Sequence, residues 1–447
     1  MKKIKLSSTH IILVVFLLTI LLGSLLLYLP ISSANGKSVA YIDALFTSTT
    51  ATCVTGLVTV TTASAWSPFG QAVILLLIQI GGLGVITVMS AFMMIIGKRI
   101  NLDGRLLIMD SFNLNSLSGI IQFIKKVILG TLIIEAVGAL LYMTVFVPEF
   151  GAKGIWYSLF NSVSAFCNAG LDIISDTSMC NYATNPLINS VTSALIIVGG
   201  LGFIVWLDIV RVFKNRHTRH FKYLSLHSKL VLSSTLVLIV SGAVLFFIFE
   251  YNNPETFGNM NLFGKIQASL FQSITTRTAG FASVPQEALT SSSSIVTLIL
   301  MFIGGSPVST AGGIKTVTIA VLILTAHSVI CGKKQVSAFG RNINEQSIRR
   351  AVTVFISSFT IFTISALCLS CTSDAPLIDI LFETVSATAT VGLSRNFTTT
   401  LKLIGKIIII INMYFGRVGP ITLAFAFKTG KNDKNTISEP SEDISIG

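Results

Sequence analysis

Four short stretches of the sequence share one pattern: a small or polar residue, a glycine, and then Leu or Phe. They are Thr52-Cys-Val-Thr-Gly56-Leu57, Phe166-Cys-Asn-Ala-Gly170-Leu171, Thr276-Arg-Thr-Ala-Gly280-Phe281 and Thr388-Ala-Thr-Val-Gly392-Leu393. Successive glycines lie roughly 110 residues apart, and near-constant spacing of this kind is the signature of internal repeats. Glycine is expected where the backbone takes an unusual conformation and approaches a ligand closely. The pattern therefore predicts four equivalent backbone sites, one in each repeat.

The chemistry that such loops can perform is ion coordination by backbone carbonyl oxygens, which replace the water shell of an ion. One loop supplies only part of a coordination shell, whereas four loops around one axis supply a ring. Thr390-Val391-Gly392 also matches the first half of the T-V-G-Y-G filter of potassium channels. A single glycine in each repeat predicts a shorter filter with fewer stacked sites. The alternative interpretation is that these are helix-capping glycines in an apolar protein. The predicted ion-binding residues are Val54, Thr55, Gly56, Asn168, Ala169, Gly170, Thr278, Ala279, Gly280, Thr390, Val391 and Gly392.

The composition indicates a polytopic membrane protein. The chain has 447 residues, of which 52% are hydrophobic and 11% are charged, whereas soluble globular chains carry about 25% charged residues. An apolar run of about 20 residues is long enough to span a bilayer. The first run is too long for a signal peptide and lacks a convincing cleavage site, so we expect it to be retained. The long apolar runs are 11–31, 73–96, 127–147, 187–207, 230–249 and 351–371.

Each unit of the chain contains a span, a half-span too short to cross, the glycine loop and a second span. Non-helical backbone at membrane depth is tolerated only where protein or a water-filled path surrounds it, so the glycine loops should face a central path. The half-helices should aim their partly negative C-terminal ends at a cation there. The predicted fold is an all-α polytopic membrane protein with four tandem helix–pore loop–helix repeats around a central ion pore.

The boundaries of these units follow from the apolar runs. The predicted half-spans are 41–50, 154–166, 262–274 and 377–388, and the second spans are 71–96, 187–207, 295–330 and 403–427. The predicted repeats are 1–110, 111–220, 221–340 and 341–430, followed by a cytoplasmic tail, 431–447.

The net charge of +12 is carried mostly by five segments between the spans. The positive-inside rule places these segments, and with them both termini, on the cytoplasmic side of the cell membrane. Because the charge is interleaved with membrane spans, we expect no nucleic-acid partner. Attraction to anionic membrane lipid would by itself explain the charge. The basic segments are the N-terminus from Lys2, 97–126, 208–229, 331–350 and the tail from Lys428.

The sequence contains no recognisable catalytic or metal-binding constellation. The five histidines are scattered, and the six cysteines show neither a paired framework nor metal-ligand spacing. Within the spans, Glu135 and Arg417 are isolated polar residues. We therefore expect no enzymatic activity, no catalytic residue and no organic cofactor.

The second span of the third unit is interrupted by the run Gly304-Gly-Ser-Pro-Val-Ser-Thr-Ala-Gly-Gly313. Proline removes a backbone donor and glycine disfavours helix, so the helix should break here, inside the membrane. No G-K-[ST] closes the run, so it is not a nucleotide-binding P-loop. A flexible, small and polar loop beneath a filter suits a gate; the alternative is a simple helix kink. The predicted gate residues are Gly304, Gly305, Ser306, Pro307, Ser309, Thr310, Gly312 and Gly313.

Three charged residues at membrane depth need partners, because such residues are costly there. Arg417 lies in the last span, where snorkelling or a structural ion pair is the alternative to a role in the pore. For Glu135, structural pairing or a hydrogen bond to a neighbouring helix is favoured over ion binding. Arg277 lies inside the third glycine loop, where we expect it to point away from the axis and bind a carboxylate or carbonyls, with Glu383 one candidate.

The four tandem helix–pore loop–helix units, each with one filter glycine, resemble the Trk/Ktr/HKT superfamily of potassium transporters over essentially the whole chain. Gly81-Gly-Leu-Gly84 and Gly199-Gly-Leu-Gly202 are a further repeat typical of that superfamily. The short termini and modest length look most like the bacterial KtrB membrane subunit. Serine at the first filter position is associated with sodium-permeable plant members, so Gly56 implies a preference for potassium.

The resemblance implies further properties as expectations. The loop 304–313 would obstruct the pore, and the charge of Arg417 would limit cation passage and contact that loop. The chain would form a homodimer under which a cytoplasmic ring of KtrA-type nucleotide-binding subunits binds. Potassium would be the transported ion, and sodium possibly a second one. Channel-like and sodium-coupled transport both stay open, and the potassium-conducting subunit of an ATP-driven pump is the alternative function.

Overall fold

The computed structural model describes residues 8–96, 105–106, 109, 119–214, 221–419 and 422. The predicted tail, 431–447, lies outside these residues. So do several basic residues that support the cytoplasmic assignment, namely Lys2, Lys3, Lys5, Lys98, Arg99, Arg216, Arg219, Lys428, Lys431 and Lys434.

The described part of the chain is almost entirely helical. In chain order the helices are α1 (Ser8–Tyr28), α2 (Tyr41–Cys53), α3 (Pro68–Leu83), α4 (Val85–Ile95), α5 (Ile120–Phe150), α6 (Ala152–Cys167), α7 (Pro186–Leu201), α8 (Phe203–Lys214), α9 (Leu226–Glu250), α10 (Leu262–Thr275), α11 (Ser291–Phe302), α12 (Thr316–Ile330), α13 (Glu345–Ser370), α14 (Leu377–Ala389) and α15 (Leu403–Val418). A single helical turn, Thr62–Ala65, precedes α3, and a small antiparallel hairpin pairs Ser337–Ala338 with Arg341–Asn342.

In the part of the chain that the structure describes, four helices are each long and apolar enough to cross a bilayer: α1, α5, α9 and α13; the bent pair α7 and α8 would be a fifth if counted as one span. Their outer faces are aliphatic, and each displays a leucine that is 61% to 63% exposed. These leucines are Leu22, Leu140, Leu236 and Leu367. A contiguous apolar surface of this kind is unfavourable in water but is matched by lipid chains, so these helices form the lipid-facing side of the protein.

The half-helices α2, α6, α10 and α14 contain 13 to 16 residues, which is too short to cross the membrane. Each packs against the long helix that precedes it. In the first three repeats a serine of the half-helix donates a hydrogen bond to a carbonyl of that long helix, at a point where a glycine leaves room for it. The glycine–serine pairs are Gly23 with Ser48, Gly138 with Ser162 and Gly242 with Ser273.

The second spans are broken in three repeats, whereas the sequence predicted a break only in the third. The predicted continuous spans 71–96 and 187–207 are wrong: the helix stops at Gly84 in the first repeat and bends by 95° at Gly202 in the second. In the fourth repeat α15 ends at Val418, and Gly419 follows in the same conformation. These three glycines have φ of +84°, +94° and +88°, a region that side chains disfavour. In the third repeat the predicted break is confirmed, because α11 and α12 are separated by residues 303–315.

The spacing of the glycine motif explains why the breaks recur. The first and last glycines of Gly81-Gly-Leu-Gly84 have counterparts in Gly416-Arg-Val-Gly419, with Arg417 at the second position. The first glycine in each case faces a carbonyl at the end of a half-helix, Thr52 or Thr388, so closely that a side chain would collide with it. The motif therefore seats the inner helix against the half-helix and then ends it.

Candidate functional site

The four predicted filter loops meet around one axis. Each filter glycine lies against the carbonyl group that precedes the glycine of the next repeat, and the fourth repeat contacts the first, which closes a ring. The contacting pairs are Gly56 with Ala169, Gly170 with Ala279, Gly280 with Val391 and Gly392 with Thr55. A methyl group on Gly56 would lie only 2.6 Å from the carbonyl oxygen of Ala169, so the ring excludes side chains at the glycine positions.

All four loops contain a non-glycine residue with an unusual backbone conformation. The residue two positions before each glycine has a left-handed conformation, with φ between +50° and +69°, although three of the four are β-branched. These residues are Val54, Asn168, Thr278 and Thr390. A left-handed β-branched residue is a genuine outlier that costs on the order of 1–3 kcal/mol. Such strain in three of the four loops at one axis points to a functional requirement on the backbone.

The N–H groups of the loops are bonded back to the half-helices. Thr55 donates to the carbonyl of Thr50 at 2.8 Å, and Gly56 donates to the Thr50 hydroxyl at 2.9 Å. The fourth repeat copies this arrangement with Val391, Gly392 and Ser386, at 2.8 and 3.0 Å. No donor of the described residues reaches the carbonyl oxygens that form the ring, those of Thr55, Ala169, Ala279 and Val391. The ring therefore presents carbonyl oxygens with free lone pairs, the ligand type that replaces a cation's water shell.

The half-helices end at this ring. In repeats one, two and four, α2, α6 and α14 stop three residues before the filter glycine. In the third repeat α10 stops five residues before Gly280 and a non-helical turn follows. The partly negative ends of the helix dipoles are therefore gathered around the ring, where they favour a cation.

The predicted gate residues form a loop that packs against the inner helix of the second repeat. Its backbone makes three hydrogen bonds where α7 gives way to α8: Ser306 N–H to the carbonyl of Gly200 at 3.0 Å, Thr310 N–H to that of Gly199 at 3.3 Å, and Phe203 N–H to the carbonyl of Val308 at 2.9 Å. Gly202 leaves room for the carbonyl of Pro307. The break in the second repeat thus provides the docking surface for the loop.

The same loop reaches the filter ends of two repeats. The Thr310 hydroxyl donates to the carbonyl of Phe166 at 3.1 Å, at the end of α6. On the opposite side, Gly312 abuts the Thr390 hydroxyl and the carbonyl of Ala389. The loop therefore lies directly beneath the ring, between the second and fourth repeats.

Gly312→Ala tests this close contact. An added methyl group would collide with the Thr390 hydroxyl, and overpacking of this kind costs about 1–3 kcal/mol. We expect a lower thermal unfolding temperature of the detergent-solubilised protein and partial recovery in Gly312→Ala/Thr390→Ala, which lacks the hydroxyl. Gly130→Ala is the control, since its methyl group would meet nothing closer than 3.7 Å. Equal effects of Gly312→Ala and Gly130→Ala would contradict the contact.

Arg417 joins the loop to the first repeat. One guanidinium nitrogen, Nη1, donates to the carbonyl of Thr310 at 2.6 Å, and Nη2 donates to the carbonyl of Gly81 at 2.6 Å. The expected contact between Arg417 and the loop is therefore present. Arg417 forms neither the structural ion pair nor the snorkelling contact given as alternatives, because its partners are backbone carbonyls rather than a carboxylate or the lipid surface.

Lys315 is a second cation at the loop that sequence reasoning did not select. Its Nζ donates to the carbonyl of Ala311 at 2.7 Å. Lys315 and Arg417 line the same cavity of about 330 Å³ beside the loop. The available signal was its position two residues after the glycine-rich run 304–313.

The two other charged residues have protein partners. Arg277 donates to the carbonyl of Thr235 at 3.3 Å, so a carbonyl partner is confirmed. The candidate Glu383 is wrong, since its carboxylate accepts hydrogen bonds from Ser394 and Thr398 at 2.8 and 2.6 Å instead. Glu135 accepts from Gln79 of α3 at 3.2 Å, which confirms the hydrogen bond to a neighbouring helix.

A second cavity, of about 430 Å³, lies on the other face of the ring and is lined by all four filter glycines. Asp172, which the sequence analysis missed, also lines it. Burial raises the pKa of Asp172 to about 6. Its position two residues after Gly170 was the available signal.

Comparison with known proteins decides the family. The model of the family described as TrkH, cation transport protein, matches residues 3–436. The chain belongs to the TrkH family. The superfamily resemblance drawn from the sequence motifs is therefore confirmed, and this is a family of membrane proteins built from several spanning helices.

Individual relatives cover the whole chain. The potassium/sodium uptake protein NtpJ of Enterococcus hirae is 40% identical over 450 residues, 99% of this chain and 98% of that protein. The Ktr system potassium uptake protein B of Bacillus subtilis is 39% identical over 447 residues, 100% of this chain and 98% of that protein. The crystal structure of the potassium transporter TrkH from Vibrio parahaemolyticus has a TM-score of 0.74 and 19% identity, covering 96% of this chain and 87% of that one. The predicted all-α architecture is confirmed by this shared fold.

Proposed function

We propose that this TrkH-family chain is the ion-translocating subunit of a potassium uptake system in the cell membrane. The observation that carries the proposal is the closed ring of four loops whose carbonyl groups accept no hydrogen bond from any described residue. Oxygen ligands without a protein partner are held in place before the ion arrives, as selective coordination requires. Glycine, rather than serine, at position 56 supports potassium as the ion, and so do the names of the uptake proteins to which the chain is similar.

The affinity of the ring for the ion must be modest, because an ion bound too tightly cannot leave. The twelve residues around the four glycines would supply the ligands, and the loop 304–313 would act as the gate. Arg417 would raise the barrier in the closed state, since it places a positive charge beside the loop and holds the Thr310 carbonyl.

The proposal extends to the assembly and its orientation. The relatives named as parts of a Ktr system support a complex with further subunits, which we propose to be a homodimer over a cytoplasmic nucleotide-binding ring of the KtrA type. The basic segments and both termini would face the cytoplasm. The relative named as a potassium/sodium uptake protein supports sodium as a second ion.

The test is ion flux in proteoliposomes at a clamped membrane potential, with and without sodium. We expect potassium flux that follows the potassium gradient and exceeds sodium flux. ATP is absent from this assay, so potassium-selective flux would also exclude the alternative of an ATP-driven pump. A sodium requirement would support coupling or activation by sodium.

A closed gate could hide the activity of the isolated subunit. A variant with the loop 304–313 shortened therefore accompanies the intact chain. Selective flux in the shortened variant alone supports the filter and the gate together. No potassium-selective flux in either form, at equal reconstituted protein, would contradict the proposed function.

A further inference from the structure

One charged side chain breaks the fourfold pattern on the outer face of the ring. Asp172 follows its filter glycine by two residues. The equivalent residues of the other repeats line the same cavity but carry no charge; they are Val58, Ala282 and Ser394. Backbone geometry shared by four loops thus places a single carboxylate beside the entrance to the filter.

The carboxylate of Asp172 is buried without a full set of partners. The side chain is 8% exposed, and its Oδ1 has no hydrogen-bond partner among the described residues. Burying an ionised oxygen in this way is costly unless a positive charge or a donor compensates it. Donors from Ser178 and the neighbouring backbone offset the cost of burial only in part. The described residues that line the cavity include no Lys, Arg or His but two further acids, Asp176 and Glu287, so a cation in the cavity would complete the compensation of Oδ1.

The ligand set favours a monovalent cation. A tight divalent site needs several carboxylates or other oxygens converging on one point. Glu287 already accepts a hydrogen bond from Asn396 at 2.8 Å, and the described residues contain no group of three acidic, His or Cys side chains placed to hold a metal ion. One free carboxylate oxygen next to a ring of carbonyl groups suits an alkali-metal cation that keeps part of its water shell.

We propose that Asp172 forms an outer binding site, at which a partly hydrated alkali-metal cation is held before it enters the filter. The inference rests on the proposed function, because the site concerns the ion that then passes the ring. It adds a specific entry residue to one of the four repeats, in a position that the fourfold glycine pattern does not predict.

The test is the rate of potassium flux in proteoliposomes as a function of external potassium, at constant high ionic strength, so that a diffuse surface potential is screened. We expect Asp172→Asn to raise the KM for potassium on the order of tenfold, because it removes a charge that attracts the ion at close range, with a maximal rate within about twofold. Asp172→Glu keeps the charge, and its KM stays within about threefold of the wild-type value.

Two matched variants separate a specific site from a general field. Asp176→Asn removes an exposed acid from the same cavity and is expected to leave the KM nearly unchanged. Val58→Asp keeps Asp172 and adds a second carboxylate at the symmetry-related position, so we expect a lower KM. This gain variant stays informative if Asp172→Asn cannot be recovered as folded protein.

Several outcomes would overturn the outer site. An unchanged KM in Asp172→Asn, an equal rise in Asp176→Asn, or an unchanged KM in Val58→Asp would each do so. Block of wild-type flux by millimolar calcium that is lost in Asp172→Asn would overturn its assignment to a monovalent cation. If the wild type shows potassium-selective flux and only these KM shifts are missing, the outer site fails and the proposed function stands.

Discussion

Replacing Arg417 by Gln raises potassium flux through the isolated subunit by about 30-fold. A unit charge roughly 8 Å from a passing cation, at an effective dielectric constant of about 20, opposes it by about 2 kcal/mol. The substitution removes that charge. It also weakens the hydrogen bond to the carbonyl of Thr310, which ties the loop in place, and both changes favour passage. Flux of the variant is measured in proteoliposomes at a clamped potential and normalised to reconstituted protein.

Lys406→Gln is the matched control for this prediction. Lys406 lies on α15 with Arg417, but its Nζ pairs with Asp43 at 2.6 Å and does not contact the loop. We expect its flux to match the wild type. Arg417→Lys separates the two causes, since it keeps the charge but cannot donate to the carbonyls of Thr310 and Gly81 in the same planar geometry. Wild-type flux in Arg417→Gln would remove Arg417 from the barrier.

Replacing Gly392 by Ser lowers the preference for potassium over sodium by at least about tenfold. The φ of Gly392 is +99°, and its added side chain would meet the carbonyl of Thr55, the contact that closes the ring. The strain of a side chain there is on the order of 1–3 kcal/mol, enough to displace a ligand oxygen. Selectivity is measured as the ratio of potassium to sodium flux, and Gly392→Asp is expected to act in the same direction.

Gly36→Ser provides a control with similar backbone strain. The φ of Gly36 is +67°, but no atom lies within 4 Å of its added methyl group, and it lies outside the ring. We expect its selectivity ratio to equal that of the wild type. A selectivity ratio that is also unchanged in Gly392→Ser would mean that this loop is not part of the filter.

The unexpected breaks in the inner helices of the first two repeats show where sequence reasoning failed. The runs 71–96 and 187–207 are predominantly apolar, and hydropathy measures length rather than direction, so the sequence predicts both as continuous spans. Gly84 and Gly202 adopt a positive φ where the helix ends, and at Gly202 the break accommodates a contact with another repeat. Gly202 faces the carbonyl of Pro307, a residue more than a hundred positions away.

The partner of Arg277 is a second case. Glu383 was an acceptable candidate by charge, but sequence cannot tell which of several buried polar groups is already satisfied. In the structure, Ser394 and Thr398 donate hydrogen bonds to the carboxylate of Glu383. Arg277 instead donates to a backbone carbonyl of α9. Hydrogen-bond partners at membrane depth are decided by packing of helices, not by complementary charge alone.

The sequence by itself determined the membrane class, the repeated filter glycines and the interrupted third unit, because hydropathy, spacing and glycine content are local properties of the chain. Only the tertiary structure decided which loop faces which. The tertiary structure brings Gly392 against Thr55, which closes the ring, and packs the loop 304–313 against residues 199–203. It also places Arg417 in contact with the first and third repeats. It also left one oxygen of Asp172 without a partner above the filter. The contacts between repeats join residues that are more than one hundred positions apart, and no local pattern records them.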